Sequence, residues 1–281
     1  MGKHVEWERL AEPQADNYDS VQVLELGLER GYTLQRAASP VMKFDGRVAV
    51  LPNYSWDSRQ FRPASIDDPT ISVGCDIIHT WPSAFEQCRS LLSAIFVSNT
   101  VGADARTWGS YSGPGSCGFG SVCATVDHPV GFAEAIVHEM AHHKLRAIGV
   151  DFESASELLA NPPGEVFPSP IRYDKLRPMS AVLHAEYSYT YIAALDIAAI
   201  RADNPMSEDI ARFSLAKYLP KLDFGIRVLQ ESAVTDSAGA RFLTAFSCWV
   251  EEVLAHGRKI LSERGMSFEK FVHPLRATSG Q

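Results

Sequence analysis

The motif H-E-x-x-H at residues 138–142 constrains this chain more than any other feature, because its two histidines recur at helical spacing. Residues i and i+4 lie on the same face of a helix, so His138 and His142 can bind one metal ion between them. The surrounding residues 132–145 are mostly apolar, which predicts a buried helix over about 130–148. The motif therefore predicts a metal centre, and satisfied core histidines without a metal are the alternative.

Spacing alone leaves the third ligand open. Leu145 and Ile148 occupy the positions where a metzincin has glycine and histidine, which excludes that pattern. A downstream helix that begins near Pro178 carries His184 and Glu186. Residues two apart on a helix diverge by roughly 200°, so only one of the two can face the metal. His184 would give a three-histidine site, and Glu186 would give two histidines and a carboxylate.

Periodicity and turn residues predict a mainly helical α+β protein with a small antiparallel sheet, forming a single domain over residues 1–281. The sheet is expected from residues 41–75 and 119–126, and Pro220 is expected to kink or break a helix in the C-terminal part, 207–264. The expected helices, apart from the metal helix, span about 20–30, 83–97, 178–201, 207–232 and 238–264.

Two local patterns give further expectations. Ser83 and Glu86 form a capping-box pattern, which predicts a helix start there, with Phe96 among its core residues. The glycine-rich stretch 109–120 contains G-x-G-x-x-G but precedes a strand-like segment, so it does not predict a nucleotide site. An edge strand around 118–122 that accepts an extended peptide is the hypothesis for this stretch.

Charge and cysteine content restrict the partners and the compartment. The net charge is 26 − 34 = −8, which argues against a nucleic-acid partner. The chain has five cysteines and no CxxC pair, which favours a reducing compartment. The N-terminal residues lack the apolar core of a signal peptide, and the apolar segment 189–200 is too short to cross a bilayer. We therefore expect a cytoplasmic protein without a membrane partner.

Residues 132–195, the predicted metal-binding core, resemble a family of H-E-x-x-H proteins that modify ribosomally made peptide natural products. The resemblance lies in His138-Glu139-x-x-His142-His143-Lys144-Leu145 and in Arg177-Pro178 followed by Val182-Leu183-His184. It implies an Fe(II)- and 2-oxoglutarate-dependent oxygenase that uses O₂ to hydroxylate the β-carbon of a residue in a precursor peptide. His138, His142 and His184 would then bind the iron.

The same resemblance suggests roles for neighbouring residues. The distal carboxylate of 2-oxoglutarate needs a cation, for which Arg177 is the first candidate and Arg172 the second. Tyr187 and Tyr191 share a helical face with His184 and are candidates to line the site, Tyr187 as a cosubstrate contact, although an aromatic stripe is more often core. Glu139 would orient a ligand or position the substrate. His143 points away from the metal face and is expected near the ligands or at the surface.

Two other functions remain open at this point. The chain could be a zinc peptidase in which Glu139 is the general base, because a histidine-rich site binds zinc as well as iron. It could also be a non-catalytic protein that binds a peptide and presents it to another enzyme. The sequence predicts no particular oligomeric state.

Overall fold

The computed structural model describes residues 41–53, 60–101, 110–111, 118–150, 158–162, 164–203 and 205–266. The chain divides into two compact units, with the boundary between Met140 and Ala141. Each unit is described separately below. The helix expected at 20–30 lies outside the described residues.

The first unit contains one mixed sheet. Its strands are β1 (Val41–Lys43), β2 (Val48–Pro52), β3 (Phe61–Pro63), β4 (Ala94–Thr100), β5 (Ser110–Tyr111) and β6 (Ser121–Thr125). Strands β2, β4 and β6 are parallel neighbours, and β1, β3 and β5 pair with them antiparallel. The order is β1-β2-β4-β6-β5, with β3 pairing with β4.

The prediction of an antiparallel sheet is therefore wrong, because its centre is parallel. Between β2 and β4 the chain forms two helices, α1 (Pro69–His79) and α2 (Pro82–Leu91). Such a helical crossover returns the chain to the starting edge of the sheet, as parallel pairing requires. Residues 69–75, which were expected in the sheet, belong to α1. Parallel strands buried on both faces are apolar throughout, and Val50, Ile95 and Val122 are fully buried.

The helix predicted over 83–97 is too long. The helix α2 ends at Leu91, and Phe96 lies in β4 opposite Cys123. The capping box is also wrong, since Trp81 occupies the cap position and no side chain caps the first turn of the helix. Ser83 Oγ instead accepts a hydrogen bond from Gln87 Nε2 at 3.0 Å. Proline at the first helical position starts α2 without a polar cap.

The edge-strand hypothesis for the glycine-rich stretch agrees with the fold only in part, because that stretch supplies β5 at the edge of the sheet, whereas residues 121–122 lie in β6. Peptide binding at this edge stays a prediction. Strand β6 pairs with β4 on one side and with β5 on the other, and all five of its residues are buried.

The next helix, α3 (Pro129–Ala147), follows β6 and agrees with the prediction to within one residue at each end. A Cβ atom added to Gly74 of α1 would lie 2.5 Å from the Phe132 ring of α3, so glycine permits this close contact.

The second unit is built around three long helices and one short hairpin. The elements are β7 (Phe167–Pro168), β8 (Leu176–Arg177), α4 (Met179–Arg201), α5 (Pro205–Ser232) and α6 (Ser237–Glu263). The bounds of the three helices lie within two residues of the predicted ones, whereas the hairpin was not predicted. Helix α4 is buried along nearly its whole length, as expected for a helix that is apolar all round.

Two other expectations concern proline and cysteine. Pro220 lies inside α5, which continues through it, so the predicted break does not occur. Cys75, Cys88, Cys123 and Cys248 are free thiols, and Cys117 lies outside the described residues. In the part of the chain that the structure describes, no helix has both the length and the apolar character needed to cross a membrane.

Candidate metal centre

Helix α3 carries the H-E-x-x-H motif. Its start is fixed by His128, whose carbonyl accepts a hydrogen bond from Phe132 N at 2.8 Å and whose Nδ1 accepts one from Val130 N at 3.2 Å. The first is the opening bond of the helix itself, and the second satisfies one of the backbone donors that the first turn leaves open. Within this continuous helix His138 and His142 are one turn apart, as the sequence predicts.

The motif residues differ in their surroundings. His138 is half-buried, but its Nδ1 atom is fully enclosed. Burial lowers the pKa of His138, while the neighbouring Glu139 charge opposes that shift. The imidazole is thus held in the neutral form. Glu139 and His143 are buried, so a surface position for His143 is wrong.

His142 and His184 meet in the second unit. Their Nδ1 atoms are 2.9 Å apart, and the ring centres are 5.1 Å apart at an interplanar angle of 40°. Both side chains are buried, with His184 at 0% exposure. The structure thus brings together two of the three histidines that the sequence assigns to the metal.

A backbone carbonyl fixes the tautomer of His184. Its Nε2 atom lies 2.8 Å from the oxygen of Val150. A carbonyl can only accept, so Nε2 must carry the proton. In the neutral imidazole, Nδ1 then holds the lone pair and accepts the hydrogen bond that His142 Nδ1 donates. Metal-binding histidines characteristically donate their other ring N–H to a carbonyl or carboxylate in this way.

The end of α3 positions this carbonyl. Gly149 adopts φ 83°, Val150 N donates to Leu145 O at 2.9 Å, and Gly149 N donates to Arg146 O at 3.0 Å. These two bonds and the left-handed residue define a Schellman motif, for which glycine is the preferred residue. The helix cap therefore also holds the Val150 oxygen against His184.

Changing Gly149 to alanine should therefore affect both stability and the histidine pair. A left-handed conformation costs a residue with a Cβ atom roughly 1–2 kcal/mol. We expect the free energy of unfolding, measured by urea denaturation, to fall by about that amount, and the hydrogen bond between the Val150 carbonyl and His184 to weaken because the carbonyl shifts. Gly149→Asn is the matched control, since asparagine tolerates this conformation better. Equal stability of Gly149→Ala and the wild type would contradict this account of the cap.

The spacing of the two nitrogens suits ligation. Histidine nitrogens bind such metals at about 2.0–2.1 Å, so two adjacent ligands of an octahedral ion lie roughly 3 Å apart. The 2.9 Å between the Nδ1 atoms is close to that separation, and it is also an ordinary length for the hydrogen bond that the two rings form. Among the described residues, no group of three or more His, Cys, Asp or Glu side chains that could hold a metal is found. A site of His138, His142 and His184 therefore stays a prediction.

Glu186, the alternative to His184, points elsewhere. Its side chain is fully buried against Gly225 of α5, where an added Cβ atom would lie 1.9 Å from Oε2. Burial raises the pKa of Glu186 well above its ordinary value, and the charge of Asp223 adds to the shift. The carboxyl is therefore held in its neutral form. The divergence of residues 184 and 186 on one helix occurs as predicted.

The predicted cosubstrate residues occupy three different environments. Arg177 is buried on β8, directly before α4. Arg172 is exposed and binds Asp174 through two hydrogen bonds, of 2.9 and 2.7 Å, which lower the pKa of Asp174 to about 2. Tyr187 is buried in an aromatic cluster with Tyr191 and residues of α6.

Two features near the histidine pair were missed from the sequence. The glycine directly after α3 is a helix-stop signal, and it could have predicted the cap at Gly149. Lys144 lies two residues after His142, and its ammonium donates a hydrogen bond to the Tyr191 hydroxyl. No sequence spacing could have predicted this contact, since the two residues lie on different helices.

A comparison with protein-family models and with curated proteins gives no match for this chain.

Proposed function

We propose that this protein is an Fe(II)- and 2-oxoglutarate-dependent oxygenase of the cytoplasm that hydroxylates the β-carbon of a residue in a ribosomally made precursor peptide. The observation that carries the proposal is the buried His142–His184 pair, with nitrogens 2.9 Å apart and the lone pair of His184 set by the Val150 carbonyl. The resemblance of residues 132–195 to peptide-modification proteins supplies the reaction class.

In the proposal, His142 and His184 bind the iron together with His138, one turn earlier on α3. Three protein ligands leave three positions of an octahedral ion open. Bound iron would supply the oxidation, in which 2-oxoglutarate loses CO₂ to become succinate, one oxygen atom of O₂ enters succinate, and the other becomes the hydroxyl of the peptide.

The protein contributes orientation and exclusion of water. Both imidazoles are buried, so the surrounding side chains hold the rings in place. The Val150 carbonyl prevents rotation of the His184 ring. Glu139 is buried beside His138 and is proposed to orient that ligand or the substrate rather than to activate water. Arg177 is the candidate that the sequence offers for the distal carboxylate of 2-oxoglutarate.

Product analysis distinguishes this proposal from the peptidase alternative. The purified protein is incubated aerobically with Fe(II), 2-oxoglutarate and a pool of synthetic peptides. We expect succinate together with peptides that have gained one oxygen atom, and loss of both products in His142→Ala. Glu139→Gln should keep succinate formation while changing the yield of oxygenated peptide. Peptide fragments that form with zinc and without 2-oxoglutarate, and vanish in Glu139→Gln, would contradict the proposal.

A further inference from the structure

Lys144 places its ammonium group against the helix that carries His184. It lies two residues after His142 on α3 and is half-buried. Its ammonium donates a hydrogen bond to the Tyr191 hydroxyl and lies 5.0 Å from the centre of the Tyr191 ring and 5.9 Å from that of Tyr187. Cations and aromatic faces attract each other over these distances. The ammonium is therefore held against the tyrosine face of α4.

Aromatic side chains of α6 pack against both tyrosine rings. Trp249 packs edge-on against Tyr191, with ring centres 4.9 Å apart, and Phe246 lies 5.2 Å from Tyr187. Burial raises the pKa of Tyr187, while its hydrogen bond with Tyr191 opposes the shift. The Tyr187 hydroxyl therefore stays protonated at neutral pH. The Lys144 ammonium and the hydroxyls of Tyr187 and Tyr191 thus form a polar group that is surrounded by packed aromatic side chains.

This polar group shares one face of α4 with the histidine pair. His184, Tyr187 and Tyr191 follow at i, i+3 and i+7, which places them along a single stripe. His142 contacts the first of them, and Lys144 contacts the other two. Side chains three residues apart on a helix have Cβ atoms roughly 5–6 Å apart. The backbone positions of Tyr187 and Tyr191 are thus about one and two turns of α4 beyond that of His184.

An ammonium group beside a phenol hydroxyl is suited to bind a carboxylate. Partial burial strengthens such charge-assisted hydrogen bonds. A short dicarboxylic acid whose oxo-acid end binds the metal could reach this group with its other end. We propose that Lys144 and the Tyr191 hydroxyl bind the distal carboxylate of 2-oxoglutarate. This inference deepens the proposed function and rests on it.

Arg172 and Arg177 are weaker candidates for binding the distal carboxylate. Arg172 is already paired with Asp174 at the surface, with 52% of its side chain exposed. Arg177 lies before the first turn of α4, whereas Lys144 contacts α4 beyond His184. Of these three cations, Lys144 is the one whose ammonium contacts Tyr187 and Tyr191, which share a face of α4 with His184.

Anaerobic titration with two oxo acids tests the inference through binding rather than turnover. Protein loaded with Fe(II) is titrated with 2-oxoglutarate and with 2-oxopentanoate, which lacks the distal carboxylate, and the visible charge-transfer band is recorded. We expect Lys144→Met to weaken 2-oxoglutarate binding by about 10- to 100-fold, the range for a hydrogen bond to a charged group, and to leave 2-oxopentanoate binding unchanged. Tyr191→Phe removes only one hydroxyl and should weaken 2-oxoglutarate binding by about tenfold.

Lys221→Met is the matched control. Lys221 is also half-buried and lies 4.8 and 5.9 Å from two tyrosine rings, those of Tyr173 and Tyr218. Its loss should leave the binding of both acids unchanged. A band in the wild type that Lys144→Met and Tyr191→Phe leave unaltered, or a loss seen only in Arg177→Met, would overturn the inference and leave the proposed function standing. Absence of any band in the wild type would overturn both.

Discussion

Replacing Gly225 with alanine is expected to lower the free energy of unfolding by about 1–3 kcal/mol, the usual cost of overpacking a core. The added Cβ atom would lie 1.9 Å from Oε2 of Glu186 and 2.9 Å from Cγ of Pro170. A glutamate at the surface could swing aside, but Glu186 is fully buried, so its carboxyl has nowhere to move without disturbing α4. Urea denaturation measures the loss.

A double-mutant cycle separates this contact from a general effect of alanine on α5. Alanine favours a helix by about 1 kcal/mol over glycine, so the clash must exceed that gain. In a chain with Glu186→Ala, Gly225→Ala should cost less or even stabilise, with a coupling of roughly 0.5–3 kcal/mol. Additive effects of the two substitutions would show that the carboxyl does not occupy the space beside Gly225.

The pH dependence of stability provides a second test of the same carboxyl. In the folded protein the pKa of Glu186 lies well above 4.5, because burial and Asp223 disfavour its charged form. Above pH 4.5 the unfolded chain loses this proton while the folded protein keeps it, so stability falls as pH rises toward the folded pKa. Glu186→Gln removes this fall, and its advantage over the wild type should grow by at most about 1.4 kcal/mol per pH unit. A constant difference from pH 4 to 8 would contradict the assignment of a neutral carboxyl.

His184→Ala is expected to weaken Fe(II) binding by more than about 100-fold, since loss of even a supporting partner of a ligand costs 10- to 100-fold. The side chain is fully buried and contacts His142 and the Val150 carbonyl. Its removal leaves both groups without this partner, which should also lower stability by about 1–3 kcal/mol. Competition with a metal-sensitive dye measures the affinity, and circular dichroism confirms that the variant is folded.

Glu186→Gln is the control for that experiment, because it alters a fully buried side chain two residues away on the same helix. It should bind Fe(II) as the wild type does. Loss of Fe(II) binding in Glu186→Gln, with retention in His184→Ala, would reverse the assignment and favour a site with two histidines and a carboxylate.

The helices of the second unit were predictable because local signals determine their ends. Proline or a capping aspartate precedes α4 and α6, and α4 is apolar on all sides. The end of α2 was not predictable in this way. Residues 92–97 are apolar enough for either a helix or a strand. Residues 94–97 form a strand because they pair with residues 121–124 of β6. That pairing is non-local, so no periodicity in the sequence reports it.

The candidate site also has features that the sequence could predict and features that it could not. The one-turn spacing of His138 and His142 and the divergence of His184 and Glu186 follow from helix geometry alone. The hydrogen bond from His184 to Val150 and the contact of Lys144 with Tyr191 join segments that are 34 and 47 residues apart. Contacts of this kind depend on how α3 and α4 pack. No local pattern in a single sequence predicts that packing.

The most direct test of the central claim is the anaerobic visible spectrum of the metal-free protein after addition of Fe(II) and then 2-oxoglutarate. The account predicts a charge-transfer band that requires both additions, persists in Glu186→Gln and disappears in His142→Ala and His184→Ala. A protein that holds zinc tightly and gives no band with Fe(II) and 2-oxoglutarate would contradict it.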